Sequence, residues 1–345
     1  MKAMMLTGIR QMELREVPSP EIKNPNDVLI RMKTVGVCGS DVHYYTEGKI
    51  GSQVVEYPFT VGHEGAGIVE KVGPAVTKVK AGDRIAVEPA MSCGECDQCK
   101  VGRPHTCRKL RFLGCPKQAA GCLSEYIVMP EECCFKIKDS MSFEEAAISE
   151  PLAIGVYAVK RSIPMKGAKI AILGAGPIGL SILLPAKAQG AEKVFMTDKI
   201  DSRLQLAKKM GADWTGNPTK EDIVKKIAAA EPLLVDVVFE CCGQQEAFAQ
   251  AVELVKPGGK IMLIGIPPSM EYWSLKVDIA RRKEVCIQNI RRQNHCVQPA
   301  IDMIDNKLFD VSRMATHHFK LEDTKKAFDL VADYKDGVVK AMVEI

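Results

Sequence analysis

The stretch Lys169-Ile170-Ala171-Ile172-Leu173-Gly174-Ala175-Gly176-Pro177-Ile178-Gly179 decides the reading of this chain. Its five leading residues form an apolar run bounded by glycine, the pattern of a buried strand. Residues 177–189 read as a helix, with Pro185 inside it as an expected kink. A GxGxxG spacing alone is weak, but between a strand and a helix it has a physical meaning. Gly174 allows the tight turn, Gly176 lets the backbone approach a pyrophosphate, and Gly179 lets helix and strand pack closely. Pro177 and Ile178 open the helix, whose free N–H groups and positive dipole end suit phosphates.

Asp198 follows 19 residues after Gly179, at the end of the next predicted strand. A carboxylate there accepts hydrogen bonds from ribose hydroxyls and repels a 2′-phosphate, which favours NAD over NADP. The plainer reading is an Asp capping the following helix. Lys199 and Arg203 lie close enough to soften the discrimination, and Arg203 is counted among the candidate cofactor-binding residues.

Outward from this motif the pattern alternates. Strands are expected at 194–197, at Trp214, and at 235–240, 260–264 and 285–290. Helices are expected at 200–210, 221–230 and 245–255, with 256–259 a turn. With 169–173 this gives six strands and helical crossovers, the tally of a doubly wound parallel sheet in an α/β chain. Residues 1–129 differ: short β-like runs at 28–35, 67–72, 84–87 and 123–128, punctuated by glycine and proline, indicate a β-rich, barrel-like unit. Beyond 291 come helix-like 299–306 and 321–334 and a strand-like 338–344, which are expected to pack back on the first zone. The expected division is 1–153 completed by 291–345, and 154–290 for the nucleotide domain.

The chain has 345 residues, 46% hydrophobic and 26% charged, an ordinary globular balance that excludes a mainly disordered chain. Its 47 basic and 43 acidic residues are interspersed, so no basic arm points to nucleic acid. The first 17 residues are too interrupted by charge to read as a signal peptide. No apolar run approaches the ~20 residues of a membrane helix. A soluble, cytoplasmic protein is expected.

Thirteen cysteines are many for such a chain. Cys93, Cys96, Cys99 and Cys107 gather within fifteen residues. Four thiolates at short spacing suit a tetrahedral, closed, structural zinc. A disulfide pair needs an oxidising compartment, and an iron–sulfur cluster is the other rival. Cys38 belongs to a second group. The remaining eight (Cys115, Cys122, Cys133, Cys134, Cys241, Cys242, Cys286 and Cys296) are expected to be small buried hydrophobes.

The second group is Cys38-Gly39-Ser40-Asp41-Val42-His43 with Gly62-His63-Glu64, from two separate loops. A thiol, an imidazole and a carboxylate with one position open is the pattern of a catalytic zinc. Glu150, in Ser149-Glu150-Pro151, is a further candidate ligand. Singly each is unremarkable; their combination with a dinucleotide motif is what counts.

With Tyr44-Tyr45, Glu150-Pro151-Leu152 and Arg281-Arg282-Lys283-Glu284 added to these motifs, the chain resembles, over its whole length, the zinc-dependent medium-chain alcohol and polyol dehydrogenases. Within them it is most similar to the sorbitol (L-iditol) dehydrogenase branch. The resemblance implies a GroES-like catalytic domain, a Rossmann domain, a cleft between them, and a dimer or tetramer joined through the last nucleotide-domain strands. It implies zinc held by Cys38 and His63, with Glu64 or Glu150 as the acidic ligand. Ser40 and His43 match the proton relay, and Tyr44 and Arg292 match positions that touch substrate or zinc-bound water. For His43 the alternative is a histidine satisfied within the fold, and for Arg292 a surface charge. The implied reaction takes a hydride from a secondary hydroxyl of a sugar alcohol to NAD, giving a ketose.

One departure concerns the substrate. After Arg292 the chain reads Gln293-Asn294-His295-Cys296, where animal sorbitol enzymes carry a tyrosine and an asparagine. Rival readings are a 2,3-butanediol or L-threonine dehydrogenase with the same zinc and NAD parts, or an NAD-binding redox sensor without catalysis.

Overall fold

Lys169–Leu173 is a strand and Pro177–Ala188 the helix after the glycine turn, with Pro185 inside it, in a computed structural model that describes residues 1–267 and 272–345. The chain forms two compact units. One comprises Met1–Glu150, Val297–Lys307 and Val311–Ile345, the other Pro151–Cys296 and Leu308–Asp310.

In the second unit six parallel strands form one sheet. They are, in chain order, Lys169–Leu173, Lys193–Thr197, Trp214–Gly216, Val235–Glu240, Val255–Leu263 and Cys286–Asn289. Their spatial order is third, second, first, fourth, fifth, sixth. The winding therefore reverses between the first and fourth strands, which opens a crevice beside the glycine turn. Residues such as Ala171, Phe195, Val238 and Ile261 are fully buried against Ile227, Phe248 and Val252. Helices cover the sheet, so its strands read as near-continuous apolar runs.

The expected turn at 256–259 is instead part of the strand Val255–Leu263. Val235 pairs with Val255 but Val237 with Lys260. The intervening residues bulge out, with Gly258 at φ 72° and its N–H donated to the Lys283 carbonyl at 2.7 Å. The bulge keeps the strand continuous while absorbing the proline and glycines.

In the first unit the largest sheet runs, edge to edge, through Cys134–Lys136, Arg84–Val87, Glu64–Val72, Asp27–Gly36, Lys340–Glu344 and Ala315–Lys320. Tyr126–Pro130 also pairs with Asp27–Gly36. The chain's last strand, Lys340–Glu344, is thus inserted between Asp27–Gly36 and Ala315–Lys320. Ile30, Met32, Val35, Leu123, Phe328 and Val343 pack its core.

Other features also depart from the sequence reading. The helices Gly39–Glu47 and Phe143–Arg161 were not expected; the second carries Pro151 inside it, which breaks the local helix signal. All thirteen cysteines are unpaired, but Cys242 and Cys286 are exposed and Cys241 half-buried. Cys241 and Cys242 lie in the turn after the fourth parallel strand, and Cys286 begins the edge strand. No described helix is long and apolar enough to cross a membrane.

Candidate active site

Two metal-competent clusters lie in the first unit. In the lobe, Cys93, Cys96, Cys99 and Cys107 place their thiols within 4.8 Å of one another. Three of the Sγ–Sγ distances are 3.4 Å (Cys93–Cys107), 3.6 Å (Cys96–Cys99) and 3.8 Å (Cys96–Cys107). A tetrahedral zinc with Zn–S bonds of ~2.3 Å has edges of ~3.8 Å, so the four thiols fit that ion. Backbone N–H groups of Cys93 and Lys109 donate to Cys107 Sγ at 3.3 and 3.4 Å. The N–H groups of Arg108 and Cys99 bring the Cys96 thiol down to about 6, as a thiolate ligand requires.

The second cluster is Cys38, His63 and Glu64, again with ligand atoms within 4.8 Å. Local structure explains the meeting. Cys38 caps the helix Gly39–Glu47 in extended conformation, while His63 directly precedes the strand that Glu64 begins. Asp41, buried in the helix's first turn, accepts from the Gly62 N–H and meets His63 Nδ1, both at 3.2 Å. That bond fixes the ring and leaves Nε2 for a ligand, the outer support that metal-bound histidines use. Gly62 holds this turn at φ 99°. Burial alone would lower the His63 pKa, but Asp41 and Cys38 outweigh it and raise it well above the ordinary value.

Glu64 does not stand alone. Its two oxygens accept from Lys340 Nζ at 2.7 and 2.6 Å, and both side chains are almost fully buried. Lys340 also donates to the Val37 carbonyl at 3.3 Å. Gly36 makes room: a Cβ there would lie 2.3 Å from Glu64 Oε2. Glu150 is buried, and its Oε2 has no hydrogen-bond partner among the described residues. Burial, with Glu64 and Glu88 adding to it and His63 opposing, pushes its carboxyl up to about 8. A buried carboxylate with an unsatisfied oxygen gains from a cation or proton that compensates it.

Ser40 Oγ lies 3.4 Å from Cys38 Sγ. His43, one turn further along the helix, meets Glu47 through Nδ1 at 3.0 Å. Ser40 and His43, three apart, share one helix face. The Tyr44 hydroxyl donates to Gln53 at 3.0 Å and meets Cys115 Sγ at 3.6 Å. Arg292 belongs to the second unit, in left-handed backbone at φ 54°.

In the second unit the glycine turn is shaped for a ligand. A Cβ on Gly179 would meet the Gly174 carbonyl at 1.8 Å, whereas one on Gly176 would meet only Arg203 Nη1, at 3.6 Å. Gly179 therefore serves helix–strand packing, while Gly176 presents open backbone. Gly174 turns at φ 110°. Asp198 accepts from the Ala175 N–H at 2.7 Å and from the Ile200 N–H at 2.8 Å, so it both ties the glycine turn to the second strand and starts the next helix. Its two oxygens keep further lone pairs for a ligand.

Asp41, Gly36 and Lys340 were not singled out from sequence. Asp41 sits inside the quoted Cys38–His43 motif, but its partner His63 is 22 positions away and nothing local pointed to it. Lys340 had one signal, a lone charge inside the apolar run 338–343, but nothing local to say what it met.

Residues 24–139 match the alcohol dehydrogenase GroES-like domain and residues 177–306 the zinc-binding dehydrogenase domain. The chain is 38% identical to the sorbitol dehydrogenase of Bacillus subtilis (strain 168), covering 99% of this chain and 97% of that protein. It is 35% identical to the L-idonate 5-dehydrogenase of Vitis vinifera, covering 95% and 90%. Among solved structures, a zinc-binding dehydrogenase from Sinorhizobium meliloti 1021 bound to NADP superimposes with a TM-score of 0.91, at 31% identity over 100% of this chain and 99% of that one. With near-complete coverage at this identity, a four-thiol lobe, a thiol–imidazole–carboxylate cluster and a glycine turn on a doubly wound sheet, the chain belongs to the zinc- and nicotinamide-dependent medium-chain alcohol and polyol dehydrogenases.

Proposed function

We propose that the chain oxidises a secondary hydroxyl of a polyol to a ketone with NAD as hydride acceptor. The first unit serves as the catalytic domain and the second as the cofactor domain. The observation that carries this reading is the meeting of Cys38, His63 and Glu64 in one cluster, with Glu150 buried close enough for its carboxyl to feel both His63 and Glu64. Zinc bound there supplies Lewis-acid polarisation of the substrate hydroxyl, and the nicotinamide supplies the hydride acceptor. Cys38, His63 and one of the two glutamates hold the metal; Asp41 keeps the His63 ring in its ligating orientation. Glu64 arrives with its charge compensated by Lys340, so Glu150 is the carboxylate whose burial most needs the ion. Ser40 accepts the substrate proton while giving up its own toward His43 and solvent, and Glu47 orients His43. Tyr44 and Arg292 contact the polyol. Asp198 receives the adenosine ribose and disfavours a 2′-phosphate, while the backbone at Gly176 and the helix start at Pro177 and Ile178 receive the pyrophosphate, flanked by Arg203.

The same reading includes a cytoplasmic homodimer or homotetramer. Thirteen unpaired thiols suit a reducing compartment. The sixth strand, Cys286–Asn289, ends its sheet with an edge unpaired among the described residues, and Leu275, Val277 and Ile287 line an open groove beside it with Arg281 and Glu284, surface that a second copy would cover.

The test is reduction of NAD and, separately, NADP by sorbitol, xylitol, galactitol, L-idonate, butanediol and L-threonine, with and without a zinc chelator. Chelator-sensitive NAD reduction by one or two polyols is expected. Silence from every polyol in protein holding two zincs per chain would overturn the polyol assignment, and turnover of butanediol or L-threonine alone would replace it.

A further inference from the structure

Glu240 closes the fourth parallel strand, and the dehydrogenase reading gives it no role. It is 0% exposed. Its Oε1 accepts two backbone N–H groups, from Cys242 at 2.7 Å and Gly243 at 2.8 Å, while Oε2 has no partner among the described residues. Its main-chain carbonyl accepts from Ile264 at 2.9 Å and Gly265 at 3.0 Å, the residues that follow the fifth strand. One residue thus grips the turns after two neighbouring strands.

The two turns interlock at backbone distance. A Cβ on Gly265 would lie 2.6 Å from Glu240 Oε2, and one on Gly243 would lie 2.2 Å from the Ile266 carbonyl. The turn that Glu240 grips also abuts the glycine turn. Cys241 N–H donates to the Leu173 carbonyl at 2.9 Å and Cys242 Sγ to the same atom at 3.1 Å. A Cβ on Gly174 would meet Cys242 Sγ at 3.0 Å. The turns after the first and fourth strands are the walls of the crevice at the switch point, where doubly wound sheets take their ligands.

A buried carboxylate with one oxygen unsatisfied is costly, and burial holds the Glu240 carboxyl above its ordinary value against the lowering effect of the N–H groups it accepts. Core packing alone would be served better by an apolar side chain. What a carboxylate adds is a charge-assisted grip on two adjacent N–H groups from a single oxygen.

We propose that Glu240 is a positioning residue of the dinucleotide site: it fixes residues 241–243 as the crevice wall opposite the glycine turn and so sets cofactor affinity without touching the cofactor. This rests on the dinucleotide reading of the glycine turn. The test is fluorescence titration of the intact, zinc-loaded protein with NADH and NADPH, for the native chain and for Glu240→Ala and Glu240→Gln, alongside zinc content and steady-state kinetics. Glu240→Ala is expected to weaken NADH binding about ten-fold or more, raising KM for NAD while zinc stays at the native level. Glu240→Gln keeps an acceptor oxygen without the charge and should recover most of the affinity. A residue needed only for stability would lower the folded yield and leave the Kd of the folded fraction unchanged. Native Kd in Glu240→Ala would overturn the proposal; if that variant does not fold, fast amide exchange in the native protein at Cys242 and Gly243, the two N–H groups that Glu240 is said to hold, would do so. Failure of the native chain to bind either nucleotide would instead overturn the dinucleotide reading, and Glu240's role with it.

Discussion

Single residues carry most of the cost of this site. Lys340 and Glu64 are each about 1% exposed and joined by two short hydrogen bonds. A buried pair of this kind contributes little net stability against an apolar substitute, but removing one partner leaves an uncompensated charge and costs about 3–5 kcal/mol. Lys340→Met should therefore destabilise the metal-free protein by roughly that amount. The loss should be smaller with zinc present, because the metal gives Glu64 a second cation to face. Melting curves recorded with and without chelator check this; an equal loss in both states would show that Glu64 gains nothing from the metal. The pairing also marks a limit of sequence reading. Glu64 was legible as a ligand from its place after His63, yet its partner stands 276 positions away, at a distance only the sheet register closes. Gly36 is the same lesson in reverse: nothing in its neighbours hints that a methyl there would strike Glu64.

At the scale of elements, period and punctuation located the parallel strands well because each is buried on both faces and flanked by turn residues. Lys169–Leu173 and Val235–Glu240 have the bounds read from sequence. Elements stabilised by distant contacts were harder. The helix Phe143–Arg161 contains Pro151, and Gly39–Glu47 begins on a glycine in a motif read for its chemistry. The short 3₁₀ turn Glu131–Cys133 shows how such connections are held. Glu131 joins Tyr126–Pro130 to Cys134–Lys136, and its Oε2 accepts from the N–H groups of Thr77 and Lys78 at 2.8 and 3.0 Å. Those bonds hold its carboxyl below the ordinary 4.5. A carboxyl depressed in the folded state contributes stability that is complete above its unfolded value and fades as pH falls through the folded one. Acid unfolding of the native chain should therefore steepen below about pH 4.5, and Glu131→Gln should flatten that part of the profile. Glu131→Ala, which leaves two N–H groups without their acceptor, should cost about 1–3 kcal/mol at neutral pH. Denaturant titrations across pH 3–7 measure both; parallel profiles for native and Gln variants would remove Glu131 as the cause.

For the whole molecule, the two metal clusters separate stability from chemistry. The lobe offers four thiols and no open position, the arrangement of a zinc whose binding energy is folding energy. The Cys38 cluster has three ligand atoms and a glutamate in waiting, so a position stays open for substrate. Both lie in the same unit; the lobe was visible in sequence from its short ligand spacing and the Cys38 cluster from the combination of two separate motifs, whereas Glu64's partner Lys340 and the clamp at Glu240 were not. If the division of labour is right, the two losses differ in kind. The native chain should hold two zincs. Cys96→Ser should hold one and melt several degrees lower, since roughly 1 kcal/mol shifts the midpoint of a chain this size by ~2–4 °C and a structural zinc is worth more than that. Cys38→Ala should also hold one zinc but melt near the native temperature, with NAD reduction abolished. Elemental analysis, melting curves and turnover on the same three preparations decide it. A Cys38→Ala protein that still turns over polyol would move the chemistry elsewhere, and a Cys96→Ser protein with native stability would leave the lobe without a structural purpose.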